Sequence, residues 1–573
     1  MHPEALLAQR LARAFETVVG AAVDPMVRRS QHADYQADGA LAAARRLKSN
    51  PREIATRIAE QAALDDLCST VEVSGPGFIN LTVRDDVLVQ LVVDVVHADR
   101  LGVDTPATPE TVVVDYSAPN VAKEMHAGHL RSTIIGDAAV RLLEWLGHTV
   151  IRQNHVGDWG TPFGMLIEHL LDLGEDEAAH ELSIGDLNGF YRAARIKFDD
   201  SDEFKERARR RVVSLQRGDA ETLRLWQLLI GESQKYFMTV YGQLGVRLTA
   251  TDFAGESAYN DDLAPVVAEL EDLGLAKESD GALCVFPDGF SGREGEPLPL
   301  IVRKRDGGYG YASTDLAAIR HRLRSLEAAR LLYVVGSPQH QHLEMIFQAA
   351  REAGWLTPPA RAEHVAHGSV LGKDGKMLRS RAGRSVRLID LLDEAVTRAI
   401  AVVSDKNPHL EGATQQAVAR AVGIGAVKYA DLSTDRNKDY ILDYDRMLSF
   451  DGNTGPYLQY AHARIRSIFR RAGIEPPDVV GQVVITDPAE RSLAFAVLEF
   501  ARVIGEVEQS MQFHSLAGYL FELATAFTGF YERCPVLRAE APVRDSRLVL
   551  CALTASILAT GLGLLGIEVP DQL

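Results

Sequence analysis

The sequence predicts a multidomain α/β protein: an α+β region first, a parallel-sheet α/β core second, an all-helical region last. Three observations predict it. The chain has 573 residues, too many for one hydrophobic core. A strand, a helix and a second strand follow one another across 111–153, the unit of a parallel sheet. From about Val386 onward, apolar residues recur at helical spacing nearly to the end.

In chain order, residues 1–108 are expected to form the first domain. Segments 40–47 and 52–63 read as helices, 77–83 alternates like a strand, and 102–109 reads as a linker with Pro106 and Pro109. The core is expected over 109–385. Its strands are 111–116, 149–153 and 331–335, with helices from about 130 to 146, closed by Gly147, and over 342–353. Charged helices and a Gly/Pro-rich stretch, 286–299, read as insertions at about 175–300. Over 386–573, helices are expected at 388–403, 413–433, 457–472, 489–508, 516–533 and 548–560. Segment 548–567 carries no charge and is long enough to span a bilayer, but Thr554, Ser556, Thr560, Gly561, Gly563 and Gly566 dilute it. A buried core helix with its loop is the expectation there.

Composition narrows the function. A net charge of −18 argues against binding nucleic acid with the whole surface. It leaves room for local basic clusters: Arg207, Arg209, Arg210 and Arg211; Arg379, Arg381, Arg384 and Arg387; Arg464, Arg466, Arg470 and Arg471. Cys68, Cys284, Cys534 and Cys551 form no CxxC pair, which speaks against a zinc knuckle or disulfide framework and fits a reducing compartment. The first twenty residues lack an apolar signal core. A cytoplasmic protein without a membrane segment is expected.

The sharpest chemical signal is His126-Ala127-Gly128-His129, just after the 111–116 strand and opening a helix. A helix N-terminus offers free N–H groups and a positive dipole end, which suit a triphosphate. Gly128 lets a flat base approach the backbone. Two histidines three apart can donate to phosphate oxygens as charge moves onto a leaving group. A second element, 372–381, is a glycine-punctuated loop with Lys373, Lys376, Arg379 and Arg381, and mobile cations suit nucleotidyl transfer.

These residues resemble the two signatures of the class I aminoacyl-tRNA synthetases, 126–129 the first and Lys376-Met377-Leu378-Arg379-Ser380 the second. Longer strings are similar to the arginine-specific family: DYSAPNVAKEMHAGHLRSTIIG at 115–136, NHVGDWGTPFG at 154–164, YASTDLAAI at 311–319, SPQHQHL at 337–343 and GPYLQYAHARIRS at 455–467. The resemblance covers essentially the whole chain. It implies a Rossmann-type catalytic core, an N-terminal domain that contacts the tRNA elbow and a helical anticodon-binding bundle. The implied reaction is ATP-dependent activation of L-arginine to arginyl-adenylate. Transfer to the 3′-terminal ribose of tRNA(Arg) follows, releasing AMP and pyrophosphate.

The resemblance also implies roles. His126, His129, Lys373 and Lys376 would be catalytic. Asn120, Lys123, Gly128, Gly157, Asp158 and His367 would bind ATP with them, Mg2+ accompanying the nucleotide and no zinc bound by the protein. Arg379 or Ser380 stands where the standard second signature has another lysine, and Lys373 is the natural substitute. A guanidinium group wants planar carboxylate partners. Asp315 and Tyr311, four apart on one helix face, would hold it. Asp115, Asn120 and Gln339 would fix the α-amino and carboxyl ends. Tyr457, Tyr460, His462 and Arg464, at helical spacing, suit splayed anticodon bases. Phe78 and Asn80 would meet the D-loop. A monomer is expected. Rival readings are a synthetase for another amino acid, a non-catalytic tRNA binder and a small-molecule adenylyltransferase. The stretch between the signatures leaves little room for an editing insertion, intact histidines and lysines oppose the second rival, and the helical tail has no task in the third.

Overall fold

The computed structural model describes residues 2–175, 178, 187–378, 386–475 and 482–573. The first region runs α1 (Pro3–Val19), β1 (Val27–Arg29), β2 (Tyr35–Ala37), α2 (Gly39–Leu47), α3 (Pro51–Ala62), β3 (Cys68–Ser74), β4 (Phe78–Val83) and α4 (Asp85–Val96). Its strands form an antiparallel sheet in the order β1-β2-β4-β3. Strand β4 is the expected one. Its partner β3 is largely exposed and lacks a clean apolar alternation, so it leaves little trace in the sequence.

The second region contains β5 (Thr111–Asp115), α5 (Ala127–Leu146), β6 (Thr149–Gln153), α6 (Thr161–Leu173), α7 (Leu187–Asp200), α8 (Asp202–Gln216), α9 (Ala220–Leu244) and α10 (Asn260–Asp272). It continues with β7 (Ala276–Ser279), β8 (Ala282–Val285), β9 (Leu300–Arg303), α11 (Tyr311–Arg324), β10 (Arg330–Tyr333), α12 (His340–Glu352), β11 (Arg361–His364) and β12 (Val370–Leu371). The sheet β11-β10-β5-β6 is parallel throughout. Val112, Val113 and Val114 at its centre are wholly buried, as a strand covered on both faces requires. Helices α7 to α10 and the antiparallel β7-β8-β9 sheet fill the expected insertion.

The third region holds α13 (Leu388–Lys406), α14 (Gly412–Leu432), β13 (Tyr440–Ile441), α15 (Tyr444–Met447), α16 (Gly455–Ala472), α17 (Pro488–Leu498), α18 (Phe500–Ser510), α19 (Phe513–Arg533) and α20 (Val543–Leu564). The single helix expected at 489–508 is two helices, broken at Glu499. Apolar spacing continues across the break, so periodicity could not reveal it. Helix α20 is apolar and long enough to cross a membrane, yet Leu550, Cys551, Thr554, Ile557, Leu558 and Leu562 are wholly buried in the core.

Helix α5 is the beam that joins the regions. Its Arg131 is fully buried and meets Asp431 of α14 at 3.2 Å, while Arg131 Nη1 donates to the Lys438 carbonyl at 2.6 Å. Strand β13, just beyond Lys438, pairs in parallel with β12. On α14, Lys428 Nζ donates to the Gly566 carbonyl at 2.6 Å. The first region docks through Arg491 of α17, which grips Asp34 at 2.6 and 2.7 Å and donates to the Val83 carbonyl.

Replacing one member of a buried ion pair strands the other charge. Asp431→Ala is therefore expected to cost about 3–5 kcal/mol, read by chemical denaturation.

Candidate active site

The loop leaving the carboxyl end of β5 delivers the histidine motif to the start of α5. Ligands collect at this position in open parallel sheets. Helix α5 begins at Ala127, three residues before the expected start, because His126 caps it. His126 Nδ1 accepts the Gly128 N–H at 3.0 Å, and His129 Nδ1 accepts the His126 N–H at 3.1 Å. This is a reciprocal capping box built from imidazoles. The ring centroids lie 4.1 Å apart. Burial, then the neighbouring His126, pushes the His129 pKa down to about 3. Desolvation, then Lys123, lowers that of His126. Both rings are therefore neutral at pH 7. With Nδ1 accepting, each carries its proton on Nε2. Gly128 serves a purpose beyond the expected one. A Cβ there would lie 2.7 Å from His126 Cε1, so the glycine makes room for the His126 ring to fold back.

Asn120 and Gly157 bring the loops after β5 and β6 together. Val121 N–H donates to the Gly157 carbonyl at 3.1 Å and Gly157 N–H to the Pro119 carbonyl at 3.2 Å. A Cβ at 157 would meet Asn120 Oδ1 at 2.5 Å. Asn120 itself is exposed. Lys123 holds its ammonium 4.4 Å over the Tyr191 ring of α7. His367, beyond β11, is buried with Nδ1 against its neighbour's carbonyl, and its Nε2 has no partner among the described residues. Burial lowers its pKa to about 4. Asp158 departs from expectation. Both its oxygens accept from Ser257, at 2.8 Å from the N–H and 2.6 Å from the hydroxyl, so its carboxylate is spent on folding that turn.

The second signature forms a tight hairpin after β12. Gly372 N–H donates to the Lys376 carbonyl at 2.8 Å, and Leu371 bridges Met377. Lys376 is exposed and makes no ion pair among the described residues. Lys373 is held by Asp443 at 3.0 Å and Asp445 at 3.2 Å. Arg379, Ser380, Arg381 and Arg384 lie outside the described residues. Just beyond, the chain pairs with the histidine motif. Ala127 N–H donates to the Val386 carbonyl at 3.1 Å and Leu388 N–H to the Met125 carbonyl at 2.8 Å. Arg387 bridges Asp390 and the buried Glu124. The segment just beyond the second signature, residues 386–388, thus lies against the start of α5 and its histidine cap.

A second feature is an acidic pocket. Asp315, one turn into α11, accepts from His342 Nε2 of α12 at 2.6 Å, and His155 Nε2 lies 3.9 Å from its other oxygen. Glu256 completes the pocket. Burial, then the Asp158 and Asp315 charges, raises its carboxyl to about 7. Sequence reading misses Glu256, because it sits in the apparent insertion with no local signature. Tyr311 and Gln339 are exposed at the rim, Tyr311 by 75%. Asp115 also differs from expectation. It is 5% exposed and its carboxylate is paired with the buried Arg322 at 2.8 Å, leaving only Oδ1 unpartnered.

On α16, Tyr457, Tyr460 and Arg464 share a face. Tyr460 is 39% exposed, and Arg464 lies 4.2 Å over the Tyr531 ring. His462 faces the other way into the core, so it leaves the expected set. In the first region Phe78 is half-buried, whereas Asn80 is buried, its Nδ2 donating to Ser74 Oγ at 2.9 Å. Arg207 and Arg211 grip Glu168 on α6, so these two pack the helix, while Arg209 and Arg210 stay exposed. Arg466 is likewise paired, to Asp571.

A parallel sheet with paired histidines at its first crossover and a lysine hairpin beside them defines a class I aminoacyl-tRNA synthetase. The family model for the class I (R) tRNA synthetase catalytic domain matches residues 91–444. The DALR anticodon binding domain matches 458–573 and the arginyl tRNA synthetase N-terminal domain matches 3–83. An arginine–tRNA ligase of Thermobifida fusca is 56% identical, with 100% of both chains covered. One from Streptomyces avermitilis is 48% identical over 99% of this chain and 98% of the other. The arginyl-tRNA synthetase of Plasmodium falciparum superposes with a TM-score of 0.87 at 29% identity, covering 100% of this chain and 99% of that one. That of Thermus thermophilus gives 0.82 at 25%, covering all of both. The chain belongs to the arginyl-tRNA synthetase family. It is an arginine–tRNA ligase that activates its amino acid with ATP and charges tRNA.

A histidine whose pKa is lower folded than unfolded binds fewer protons when folded. Its contribution is present above pH 6.5 and lost as pH falls toward about 3. His129→Gln is expected to lose less stability than the parent across that window, measured by denaturant titrations at stepped pH.

Proposed function

We propose that the two signatures form one adenylate-forming site. What carries this reading is the backbone pairing of residues 386–388 with 125–127, which sets the segment that follows the lysine loop against the histidine cap. The arginine carboxylate attacks the α-phosphate, and the bond to pyrophosphate breaks. The terminal ribose hydroxyl of tRNA(Arg) then attacks the adenylate carbonyl, and AMP leaves. No protein nucleophile takes part; positioning and charge stabilisation supply the rate. His126 and His129 donate from Nε2 to the phosphates, and a neutral donor needs no counter-charge there. Lys376, and Lys373 once free of its aspartates, neutralise the leaving group. Asn120, Gly128 and Gly157 line the nucleotide, with His367 Nε2 as an acceptor for it. Lys123 acts from its seat on Tyr191.

Asp315 and Glu256 take the guanidinium, with Tyr311 over it. Asn120 and Gln339 take the α-amino and carboxyl ends, with Asp115 behind them on Arg322. Tyr457, Tyr460 and Arg464 stack the anticodon bases, and Phe78, backed by Asn80, meets the D-loop. No group of three His, Cys, Asp or Glu side chains stands ready for a metal among the described residues. Mg2+ would accompany the triphosphate. We divide the chain at 1–108, 109–385 and 386–573, and infer a cytoplasmic monomer that engages no membrane, a reading supported by the burial of α20.

His129→Ala is expected to slow adenylate formation by about 2–4 kcal/mol in the transition state, read by pyrophosphate exchange, with tRNA affinity retained. Equal loss of both would point to misfolding instead. Asp315→Ala is expected to lose arginine binding while ATP still binds. Unchanged arginine affinity would contradict the pocket.

A further inference from the structure

The guanidinium pocket already contains a hydrogen-bond partner for its carboxylate. His342 Nε2 lies 2.6 Å from Asp315 Oδ2, on the carboxylate assigned above to the substrate. His155 Nε2 approaches the other oxygen at 3.9 Å, while its Nδ1 is engaged by the Ala254 carbonyl at 3.0 Å. Among the described residues the other charged or titratable groups near the pair include Glu256 and Asp158 on the loops, Tyr259 against His155, the buried Tyr333 on β10, and Glu344 on the histidine's own helix. An arriving guanidinium needs both Asp315 oxygens for a bidentate contact. His342 already occupies one of them.

We propose that His342 is a specificity-determining residue that closes Asp315 until arginine arrives and yields it to the arginine guanidinium, releasing a proton to solvent as arginine binds. The inference rests on the assignment of Asp315 to the guanidinium. Neutral side chains cannot displace an imidazolium from a carboxylate, since the aspartate would exchange a charged partner for an uncharged one. A planar cation can, with two parallel hydrogen bonds in place of one. The histidine thus raises the barrier to ligands that match arginine in shape and lack its charge.

The linkage has a definite sign. Asp315 raises the His342 pKa above the ordinary value, first through the hydrogen bond, against the opposing effect of burial. The free pocket therefore holds the proton more tightly than the arginine-bound one. Arginine affinity falls as pH drops through the raised pKa, approaching about tenfold per unit for one proton. Glu256, at about 7, titrates in the same window and also weakens binding when protonated. Two groups then contribute, and removing one must reduce the dependence without abolishing it.

The test is calorimetric titration of the full chain with arginine from about pH 6 to about pH 8.5, in buffers of different ionisation enthalpy, which reads proton release directly. The parent is expected to release protons near neutral pH. His342→Gln should release fewer and, at about pH 6, bind arginine several-fold more tightly than the parent, a gain that a merely structural role would not produce. His342→Lys, a permanent cation, should weaken arginine by about tenfold or more at every pH. Citrulline, the neutral analogue, should be excluded less strongly by His342→Gln than by the parent. Equal proton release in parent and His342→Gln overturns the proposal, as does parent-like affinity in His342→Lys. Undiminished arginine binding by Asp315→Ala would instead overturn the pocket assignment on which the proposal stands.

Discussion

The buried contact between Arg131 and Asp431 is the constraint on which the rest of the molecule turns. Helix α5 carries the histidine cap at its N-terminus and, one turn further along, the arginine that fastens it to α14. The same guanidinium holds the Lys438 carbonyl and lies 5.3 Å from the centroid of the Tyr440 ring, on the strand that supports β12 and the lysine hairpin. One side chain therefore sets three things at once: the angle of the catalytic helix, the seat of the helical region and the base of the second signature. A buried ion pair adds little net stability against an apolar substitute, but it specifies geometry, and breaking it is costly. Here the geometry it specifies is that of the helix carrying the histidine cap.

Electrostatics divides the cleft into two compartments. At the cap of α5 the histidines are kept neutral by burial, so in the proposed nucleotide compartment they can donate without adding positive charge. The cations there stand on the exposed hairpin, and Lys373 is restrained by two aspartates of the connecting segment. In the proposed amino-acid compartment three carboxylates, Asp158, Glu256 and Asp315, crowd a half-buried pocket. Asp158 is satisfied by Ser257, and Glu256 is pushed toward the neutral form. Asp315 is met by two histidines, His342 closely and His155 at a distance. The pocket is thus poised for a cation that brings more hydrogen bonds than an imidazole can offer. In the function proposed above arginine is that cation, and the chain's overall charge of −18 matters less than these few local balances.

Features governed by neighbours along the chain are legible in the amino-acid sequence. Strand β6 lies where alternation and Gly147 put it, and the histidine motif opens α5 as the dipole argument requires. Helix α20 is buried, as its threonines and glycines suggest. Features governed by distant partners are not legible. Asp158 meets Ser257, and Asp115 at the end of β5 meets Arg322 on α11, partners far away in the sequence, so the packing task of each acid is not visible there. Glu256 sits in a segment that reads as an insertion. His462 shares helical spacing with two tyrosines, yet a helix face is decided by what packs beneath it, and there it points into the core. The break at Glu499 leaves apolar periodicity intact on both sides.

The two compartments and the beam between them act as one device, and a crystal structure with a non-hydrolysable arginyl-adenylate analogue tests this most directly. It should place the phosphate within hydrogen-bond distance of Nε2 of His126 or His129. The guanidinium should lie between Asp315 and Glu256, with His342 moved off the carboxylate and the Arg131–Asp431 contact intact. A guanidinium bound elsewhere, or a phosphate facing the Nδ1 side of the histidines, would contradict it.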